Sequence, residues 1–437
     1  MPGDAYFLRF DELITQDIKL VRENTKYLLE VYYSPSKNKT YRAGTPEGYT
    51  GYFSTGTKSL IQVLTHVCDV TNSKLLQLLK TCGVSISSSS ISNILLEDKE
   101  LFDNEKRDIL KTGLLNSFCG ADSTGSKEKG KRLYTQIICN EYFTVFSSMP
   151  SKSRLDILAV LQGEPENGIL YGYNETAKEL LNHFNVSLSD KKKLSALFGK
   201  NNKSITRSEL DKMIQTHIPE LKTKKNMYKR VCESLAIGHY HEQGEYPVVK
   251  YLLTDDAPEY QKIALLQQAL CWVHDARAYK KLTPFIDAHR QILDGFMDGY
   301  WGFYGKLLKY KTSPTLQKRR KLEGEFEKLF TTKTNYSVLD QRIGKTCANK
   351  QKLLAVLTNP GLPLHNNASE LGARRAVVKR DISLHTISNN GTKVRDAVMS
   401  IVETAKKLKV NYIEYLDDMI SRGNKMPRLS QFIHDSS

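Results

Sequence analysis

Three acidic residues in different local patterns constrain the fold of this chain more than any other feature. Asp122 follows a short apolar run, Asp255 follows another, and Glu370 lies in a basic, helical stretch after two asparagines. A single Asp at a strand end is usually a turn former. Acids on two strands and one helix together are typical of a centre for two divalent metal ions, because the ions need oxygen ligands from separate elements. The sequence therefore predicts an α/β fold in which these three carboxylates converge on one pocket.

Asp256 is an alternative to Asp255 as the second acid. The two are neighbours at the end of Val248–Leu253, a predicted strand. Side chains alternate between the two faces of a strand, so only one of them is expected to face the metals. The spacing alone leaves the choice open.

Several motifs, taken in order, resemble one known family. Asn366-Asn367-x-x-Glu370 is followed by Arg374-Arg375 and later by Ser388-Asn389-Asn390-Gly391. Upstream lie Thr254-Asp255-Asp256 with Tyr260, and then Cys271-Trp272-Val273-His274 with Arg277. In order and combination, these blocks resemble the insertion-sequence 66 family of transposases, over most of the chain from about Thr57 onward.

The resemblance implies a DNA transposase with an RNase H-like mixed sheet. It implies that Asp122, Asp255 and Glu370 are the catalytic acids and hold two Mg²⁺ ions, with Mn²⁺ able to substitute. Water and then a DNA 3′-hydroxyl would be the nucleophiles for strand cleavage and joining. His274 would hydrogen-bond a catalytic carboxylate or the scissile phosphate, while Asn366 and Asn367 would orient the Glu370 helix or contact DNA.

The charge balance independently favours a polyanionic partner. The formal net charge is +16 over 437 residues, and Lys and Arg that neutralise phosphates release condensed counterions. The expected partner is double-stranded DNA, at the element ends and the target. The predicted phosphate contacts are Arg277, Arg374, Arg375, Lys379 and Arg380. The alternative for the last four is a solvated basic helix face.

Three short helical patterns between residues 57 and 105 predict a helix-turn-helix. Gly83 and the residues after it supply the turn before the third helix. Polar side chains near the start of that helix can contact phosphates and base edges. They are Ser88, Ser89, Ser90 and Asn93. A plain three-helix packing unit is the alternative.

The remaining patterns predict the domain organisation. Residues 1–56 would hold an N-terminal helix, from Leu8 to Tyr33, and a polar linker. This helix could serve as an arm or a dimerising element, and the alternative is that it packs on the next domain. Residues 106–405 would form the catalytic domain, interrupted by helical insertions at about 174–240 and 283–360. The first insertion is lysine-rich, which favours either DNA contact or a solvated helical excursion. Residues 406–437 would form a closing helix and tail.

Other features exclude some classes of protein. No apolar run reaches the length of about 18 residues needed for a membrane span, and the N-terminus lacks a secretion signal. The seven cysteines are scattered without a C-x-x-C pair, which predicts reduced thiols and no structural zinc ribbon. We expect a cytoplasmic bacterial protein associated with the nucleoid, acting as a homodimer or larger assembly with accessory proteins. Two rival functions are a metal-dependent DNA nuclease of the same fold and a non-catalytic DNA-binding regulator derived from a transposase.

Overall fold

A mixed five-stranded sheet organises the chain, and helical segments are inserted between its strands. The computed structural model describes residues 2–45, 51–199 and 203–436. Residues 46–50 of the predicted linker and 200–202 of the first predicted insertion lie outside the described residues. Within the described part of the chain, no helix is long and apolar enough to cross a membrane.

The N-terminal segment differs from its prediction. Residues 5–30 form neither helix nor strand, and a hairpin follows, made of strands β1 (Val31–Ser34) and β2 (Lys39–Arg42). The helix predicted from Leu8 to Tyr33 is therefore wrong. The apolar side chains that gave the helical periodicity stay exposed, Ile18 at 88% and Leu13 at 87%. Short amphipathic helices owe most of their stability to packing, and nothing among the described residues covers this face.

Four helices follow, and the first three form a small apolar cluster of their own. Ile61, Leu75, Ile91 and Ile94 are buried within it. Ser54 caps the first helix and Ser87 the third, each accepting a backbone N–H with its side chain. The helices are α1 (Thr55–His66), α2 (Asn72–Thr81), α3 (Ser88–Glu97) and α4 (Lys99–Gly113).

The sheet has strand order β5-β4-β3-β6-β7. The first three strands are antiparallel, and β6 and β7 add in parallel to the other edge of β3. The strands are β3 (Phe118–Glu128), β4 (Lys131–Cys139), β5 (Thr144–Met149), β6 (Tyr251–Thr254) and β7 (Gln267–Leu270). The mixed sheet with covering helices confirms the α/β class.

A first helical segment separates β5 from β6. Helix α5 (Arg154–Leu161) follows β5, and the Ser153 side chain caps its start by accepting the backbone N–H of Asp156. Five further helices build the predicted insertion and join the large core under the sheet through residues such as Leu181, Leu210 and Leu235. They are α6 (Glu175–His183), α7 (Leu188–Phe198), α8 (Arg207–His217), α9 (Pro219–Thr223) and α10 (Lys225–Glu242).

A second helical segment follows β7 and has a separate aromatic core. Trp272 is fully buried there against Tyr300, Phe303, Phe326 and Phe330. The helices are α11 (Trp272–Lys280), α12 (Asp287–Thr312), α13 (Leu316–Phe330), α14 (Ser337–Ala348) and α15 (Lys350–Leu353).

The next two helices return to the sheet. Helix α16 (Asn367–Ser383) packs across β3 and β4, and α17 (Asn389–Lys407) packs on β5 and α4. Two short helices, α18 (Tyr412–Ser421) and α19 (Leu429–Ser436), end the described chain. The closing helix was predicted from about Lys406, but α17 already ends at Lys407. Buried polar atoms join α17 to the sheet edge, because Ser400 Oγ accepts the backbone N–H of Phe146 at 2.8 Å.

Candidate active site

Asp122 and Asp255 lie at the same level on neighbouring parallel strands. The last paired residues of β3 and β6 are Gly120 and Leu253, and each acid lies two residues beyond its member of that pair. Asp122 was expected at a strand end, but it lies within β3, because the hairpin with β4 continues to Glu128. Side chains two residues apart share a face of a strand, so Asp122 points to the same side as Gly120.

The charges of all three acids act on one another. Burial raises the pKa of Asp122, and the nearby charges of Asp255 and Glu370 raise it further, while a hydrogen bond from the Ser123 backbone N–H lowers it. The described structure thus brings the three carboxylates predicted from the sequence into one electrostatic neighbourhood.

Asp256 points elsewhere. Its carboxylate accepts hydrogen bonds from Asn349 Nδ2 at 2.7 Å and Lys352 Nζ at 3.2 Å, both at the start of the short α15 region. Asp255 Oδ1 accepts the backbone N–H of Ala257 at 3.1 Å. The geometry therefore favours Asp255 over Asp256 as the partner of Asp122.

Asn366 fixes the start of α16 against β3. It is 2% exposed, and its Nδ2 donates to the carbonyl of Ala121, the residue before Asp122, at 3.0 Å. Its Oδ1 accepts from Ser369 Oγ at 2.7 Å, and its carbonyl accepts the backbone N–H of Glu370 at 3.0 Å. The Asn366 side chain thus links Asp122 to Glu370 and orients the helix. Asn367, by contrast, is exposed.

Two glycines let α16 approach the sheet closely. A Cβ at Gly120 would lie 2.5 Å from Ser369 Oγ and 2.8 Å from Asn366 Oδ1, and a Cβ at Gly372 would lie 2.9 Å from a methyl of Ile137. Such separations are shorter than van der Waals contact, so a side chain at either position would push the helix outward. Because Gly120 shares a face with Asp122, these contacts also place α16 over that acid.

Glu370 is held by residues of α11. Arg277 donates to Glu370 Oε2 at 2.9 Å and to His274 Nε2 at 3.0 Å. His274 Nδ1 lies 3.5 Å from Glu370 Oε1. The pKa of His274 is raised mainly by hydrogen bonding to the Cys271 side chain, and the charge of Glu370 raises it further. His274 thus lies beside Glu370, one of the three acids predicted from the sequence.

The donor set suits Mg²⁺, which prefers carboxylate oxygens from a few residues together with water. Glu370 Oε1 is shielded from solvent and makes no hydrogen bond with the described residues, although it lies 3.5 Å from His274 Nδ1. Burial is the main cause that raises the pKa of Asp122, and the like charges of Asp255 and Glu370 raise it further. A divalent cation would offset these like charges and could coordinate Glu370 Oε1.

Two of the other basic residues predicted to contact DNA bind the end of α1 instead. Arg375 donates to both carboxylate oxygens of Asp69, at 2.7 and 3.1 Å, and to the carbonyl of His66 at 2.6 Å. Lys379 is 5% exposed and donates to the carbonyl of Thr65. These two side chains join α16 to the end of α1, which differs from their expected role in DNA contact.

The remaining predicted contacts are more accessible. Arg374 is exposed, while Arg380 is half-buried and donates to the carbonyl of Gly125 at 2.7 Å. Ser88, Ser89 and Asn93 are exposed at the start of α3, and Ser90 is half-buried beside its cap residue Ser87. Their side chains face away from the apolar cluster of the three helices.

Sequence reasoning missed two residues that build the site, Ser369 and Gly120. Ser369 lies between Asn366 and Cys139, with its Oγ 3.2 Å from Cys139 Sγ. Cys271, which was already part of the sequence motif, accepts the backbone N–H of Asn366 with its Sγ at 3.2 Å. Gly120, which precedes Asp122 by two residues, carried the only available signal, because a glycine within a strand often marks a close approach by another segment.

Comparison with known proteins gives a family match over part of the chain. Residues 237–394 match the family model described as transposase IS66 family. This confirms the resemblance inferred from the motifs, and the match includes Asp255 and Glu370 but not Asp122. The uncharacterized protein y4jO of Sinorhizobium fredii is 28% identical over 321 residues, which cover 71% of this chain and 94% of that protein. No solved structure gives a significant match.

Proposed function

We propose that this chain, which matches the IS66 family of transposases over residues 237–394, is a transposase that cuts and joins DNA with divalent metal ions. The observation that carries the proposal is the docking of α16 on β3, which brings Glu370 to Asp122 and Asp255. The strand order, with three antiparallel strands and two parallel ones, supports an RNase H-like assignment of the sheet.

Asp122, Asp255 and Glu370 would hold the metal ions. When bound, Mg²⁺ would supply positive charge that stabilises the attacking and leaving oxygens of a phosphodiester. Asp122 is the acid whose pKa is raised by the charges of both other carboxylates, after the larger effect of burial. Asn366 keeps the Glu370 helix in place through the Ala121 carbonyl. His274 and Arg277 hold the Glu370 carboxylate in one orientation and add positive charge where a phosphate would approach.

The exposed basic side chains would position the DNA. Arg374 lies one turn beyond Glu370 on the same helix, and α3 presents Ser88, Ser89 and Asn93 to solvent. Phosphate contacts set the register of a duplex, whereas short polar side chains at a helix start can read base edges. Recognition of the element ends by α3 and cleavage at the carboxylates would therefore be separate tasks.

The test is substitution of each acid without change of shape. We expect Asp122→Asn, Asp255→Asn and Glu370→Gln to lower Mg²⁺-dependent cleavage at least about 100-fold, since metal stabilisation amounts to several kcal/mol. Binding to the element ends should be retained or become tighter, because a negative charge near phosphate is lost. Asp256→Asn is the matched control and should cleave normally. If it abolishes cleavage while Asp255→Asn does not, the second acid is misassigned.

Strand transfer distinguishes a transposase from a nuclease of the same fold. A pre-cleaved DNA end carrying a free 3′-hydroxyl is incubated with the wild-type chain, Mg²⁺ and a target plasmid. A transposase joins the end to the plasmid, and the three acid variants do not. Cleavage without joining would identify a nuclease, and binding without either would identify a DNA-binding regulator.

A further inference from the structure

Three side chains at the edge of the carboxylate site, one of them Glu370 itself, could bind a metal ion other than Mg²⁺. One ligand atom from each of Cys271, His274 and Glu370 lies within 4.8 Å of the others. Cys271 is 1% exposed. His274 Nδ1 and Glu370 Oε1 are shielded from solvent and lie 3.5 Å apart, without a hydrogen bond of good geometry between them. Shielded polar atoms that make no good hydrogen bond cost free energy, and a metal ion bound to both atoms would offset that cost.

The chemistry of the three donors is that of a zinc site. A sulfur, an imidazole nitrogen and a carboxylate oxygen suit Zn²⁺, which takes three protein ligands and an open fourth position in many sites. Bond lengths of about 2.0 to 2.3 Å place tetrahedral ligand atoms roughly 3.3 to 3.7 Å apart. His274 Nδ1 and Glu370 Oε1 are already 3.5 Å apart. Mg²⁺ disfavours sulfur, so the same three atoms would not hold it.

The surroundings of the three donors are compatible with a thiolate ligand. The backbone N–H of Asn366 donates to Cys271 Sγ at 3.2 Å, which stabilises negative charge on sulfur. Cys271 precedes α11 and His274 lies in its first turn, so their side chains are on one side of the helix start. Zinc binding would release the thiol proton to water.

Arg277 must change one contact and can keep the other. It donates to His274 Nε2 and Glu370 Oε2, the atoms that zinc would not use. A ring that binds zinc through Nδ1 carries its proton on Nε2, so the contact of Arg277 with Nε2 would break. The Arg277 side chain is 48% exposed and can move away while its bond to Glu370 Oε2 remains.

We propose that Cys271, His274 and Glu370 form a zinc site that competes with the magnesium site for Glu370. Zinc at this position would draw the Glu370 carboxylate toward α11 and away from Asp122 and Asp255, and so would inhibit the chain reversibly. The binding itself does not depend on the proposed function, whereas the inhibition rests on it.

Binding is tested with the metal-free, full-length chain titrated with Co²⁺ and then with Zn²⁺. We expect one equivalent of Co²⁺ to produce a thiolate-to-cobalt charge-transfer band, which Zn²⁺ removes by displacement. Cys271→Ser and His274→Asn should lose the band, while Cys347→Ser, which changes a half-buried thiol on α14, should retain it. Thermal unfolding of each variant establishes that it is folded. Absence of the band in wild type, or its persistence in Cys271→Ser, overturns the proposal.

Inhibition is tested by zinc titration of Mg²⁺-dependent DNA cleavage. Half-inhibition of Cys271→Ser should need at least tenfold more zinc than wild type, with Cys347→Ser behaving as wild type. Equal zinc sensitivity of wild type and Cys271→Ser would overturn the competition for Glu370. If the chain cleaves no DNA, the proposed function fails, and the cobalt spectrum still decides whether the zinc site exists.

Discussion

At the scale of single residues, the site depends on small side chains as much as on charged ones. Asp122 and Glu370 belong to elements far apart in sequence, and only a close approach of α16 to β3 brings them together. Gly120 leaves room for this approach because it has no side chain. Asn366 and Ser369 then fix the start of the helix by hydrogen bonds. The precision of the carboxylate cluster is therefore set by packing next to the acids.

Gly120→Ala should damage activity more than stability. The added methyl would overlap Ser369 Oγ and Asn366 Oδ1, and overpacking of this kind costs about 1 to 3 kcal/mol. Displacement of α16 would move Glu370 from Asp122, so cleavage should fall by an order of magnitude or more. Urea unfolding and a cleavage assay measure the two effects. Gly295→Ala, in the open middle of α12, is the control and should stabilise by about 0.5 to 1 kcal/mol. Full activity of Gly120→Ala would contradict this account of the approach.

The sequence predicts a site residue only where its role follows from its neighbours along the chain. The three acids and His274 carry a recognisable pattern, and the strand ahead of Asp255 was found from its apolar run. The choice between Asp255 and Asp256 could not be made, because it depends on Asn349 and Lys352, almost 100 residues away. Burial of Arg375 and Lys379 was missed for the same reason, since their partners lie at the end of α1.

At the scale of elements, α16 is the connection between the three-helix region and the carboxylates. It carries Glu370 in its first turn, Arg375 and Lys379 further along, and Arg380 against β3. Asp69, just after α1, pairs with Arg375 at 2.7 Å and Lys379 at 3.4 Å, and all three side chains are mostly buried. Movement of the three helices would therefore be transmitted to the helix that holds Glu370.

Breaking this ion-pair cluster should loosen the three-helix region. Asp69→Asn removes the charge but keeps a residue type that tolerates the positive φ of 58° found here. Loss of one partner from a buried pair costs roughly 3 to 5 kcal/mol, because the remaining charges stay buried. Hydrogen exchange should become faster in α1 and α2. Asp381→Asn, which alters an exposed pair with Arg380, is the control and should leave exchange unchanged. Equal protection in both variants would show that the cluster does not hold the helices.

His66 makes the same junction sensitive to acid. Burial lowers its pKa well below 6.5, and the charges of Lys379, Arg395 and Arg375 lower it further. Below about pH 6.5 the His66 imidazole binds a proton in the unfolded chain but not in the folded chain. The free energy of unfolding therefore falls as the pH drops below about 6.5, by about 1.4 kcal/mol per pH unit. Urea unfolding from pH 7.5 to 5 should show this slope in wild type. His66→Leu should reduce the slope by that amount, and an unchanged slope would exclude His66 as its source.

At the scale of the whole molecule, the sequence predicts the α/β class and the two insertions in outline, but only part of the sheet. Strand β6 overlaps the predicted strand Val248–Leu253, whereas β7 was not predicted, because Gln267–Leu270 is too short to show alternation and is stabilised by pairing with β6. The prediction of an N-terminal helix was wrong for the opposite reason. Its periodicity is clear, but a helix of that length needs a surface to cover its apolar side, and the described residues provide none.

The helical insertion between β5 and β6 gives the last prediction, which concerns DNA affinity. Two lysines of this segment already have partners within the protein, because Lys191 donates to Asn182 and Lys193 pairs with Glu220. Three further lysines are exposed, namely Lys192, Lys224 and Lys225. If the exposed lysines bind phosphates, changing all three to Ala should weaken binding to every DNA sequence alike. Counterion release then predicts that the slope of log affinity against log salt flattens by about 0.9 per lost contact.

The control for this prediction lies on α3. Ser89→Ala with Asn93→Ala should reduce the preference for the element's own ends while leaving the salt slope unchanged, because base contacts release few counterions. Fluorescence anisotropy with end-specific and random duplexes at several salt concentrations measures both quantities. The lysines belong to the segment inserted between β5 and β6, and α3 belongs to the separate three-helix cluster. The two variants should therefore act independently. A salt slope that is unchanged in the lysine variant would leave the insertion as a solvated helical excursion with no part in DNA binding.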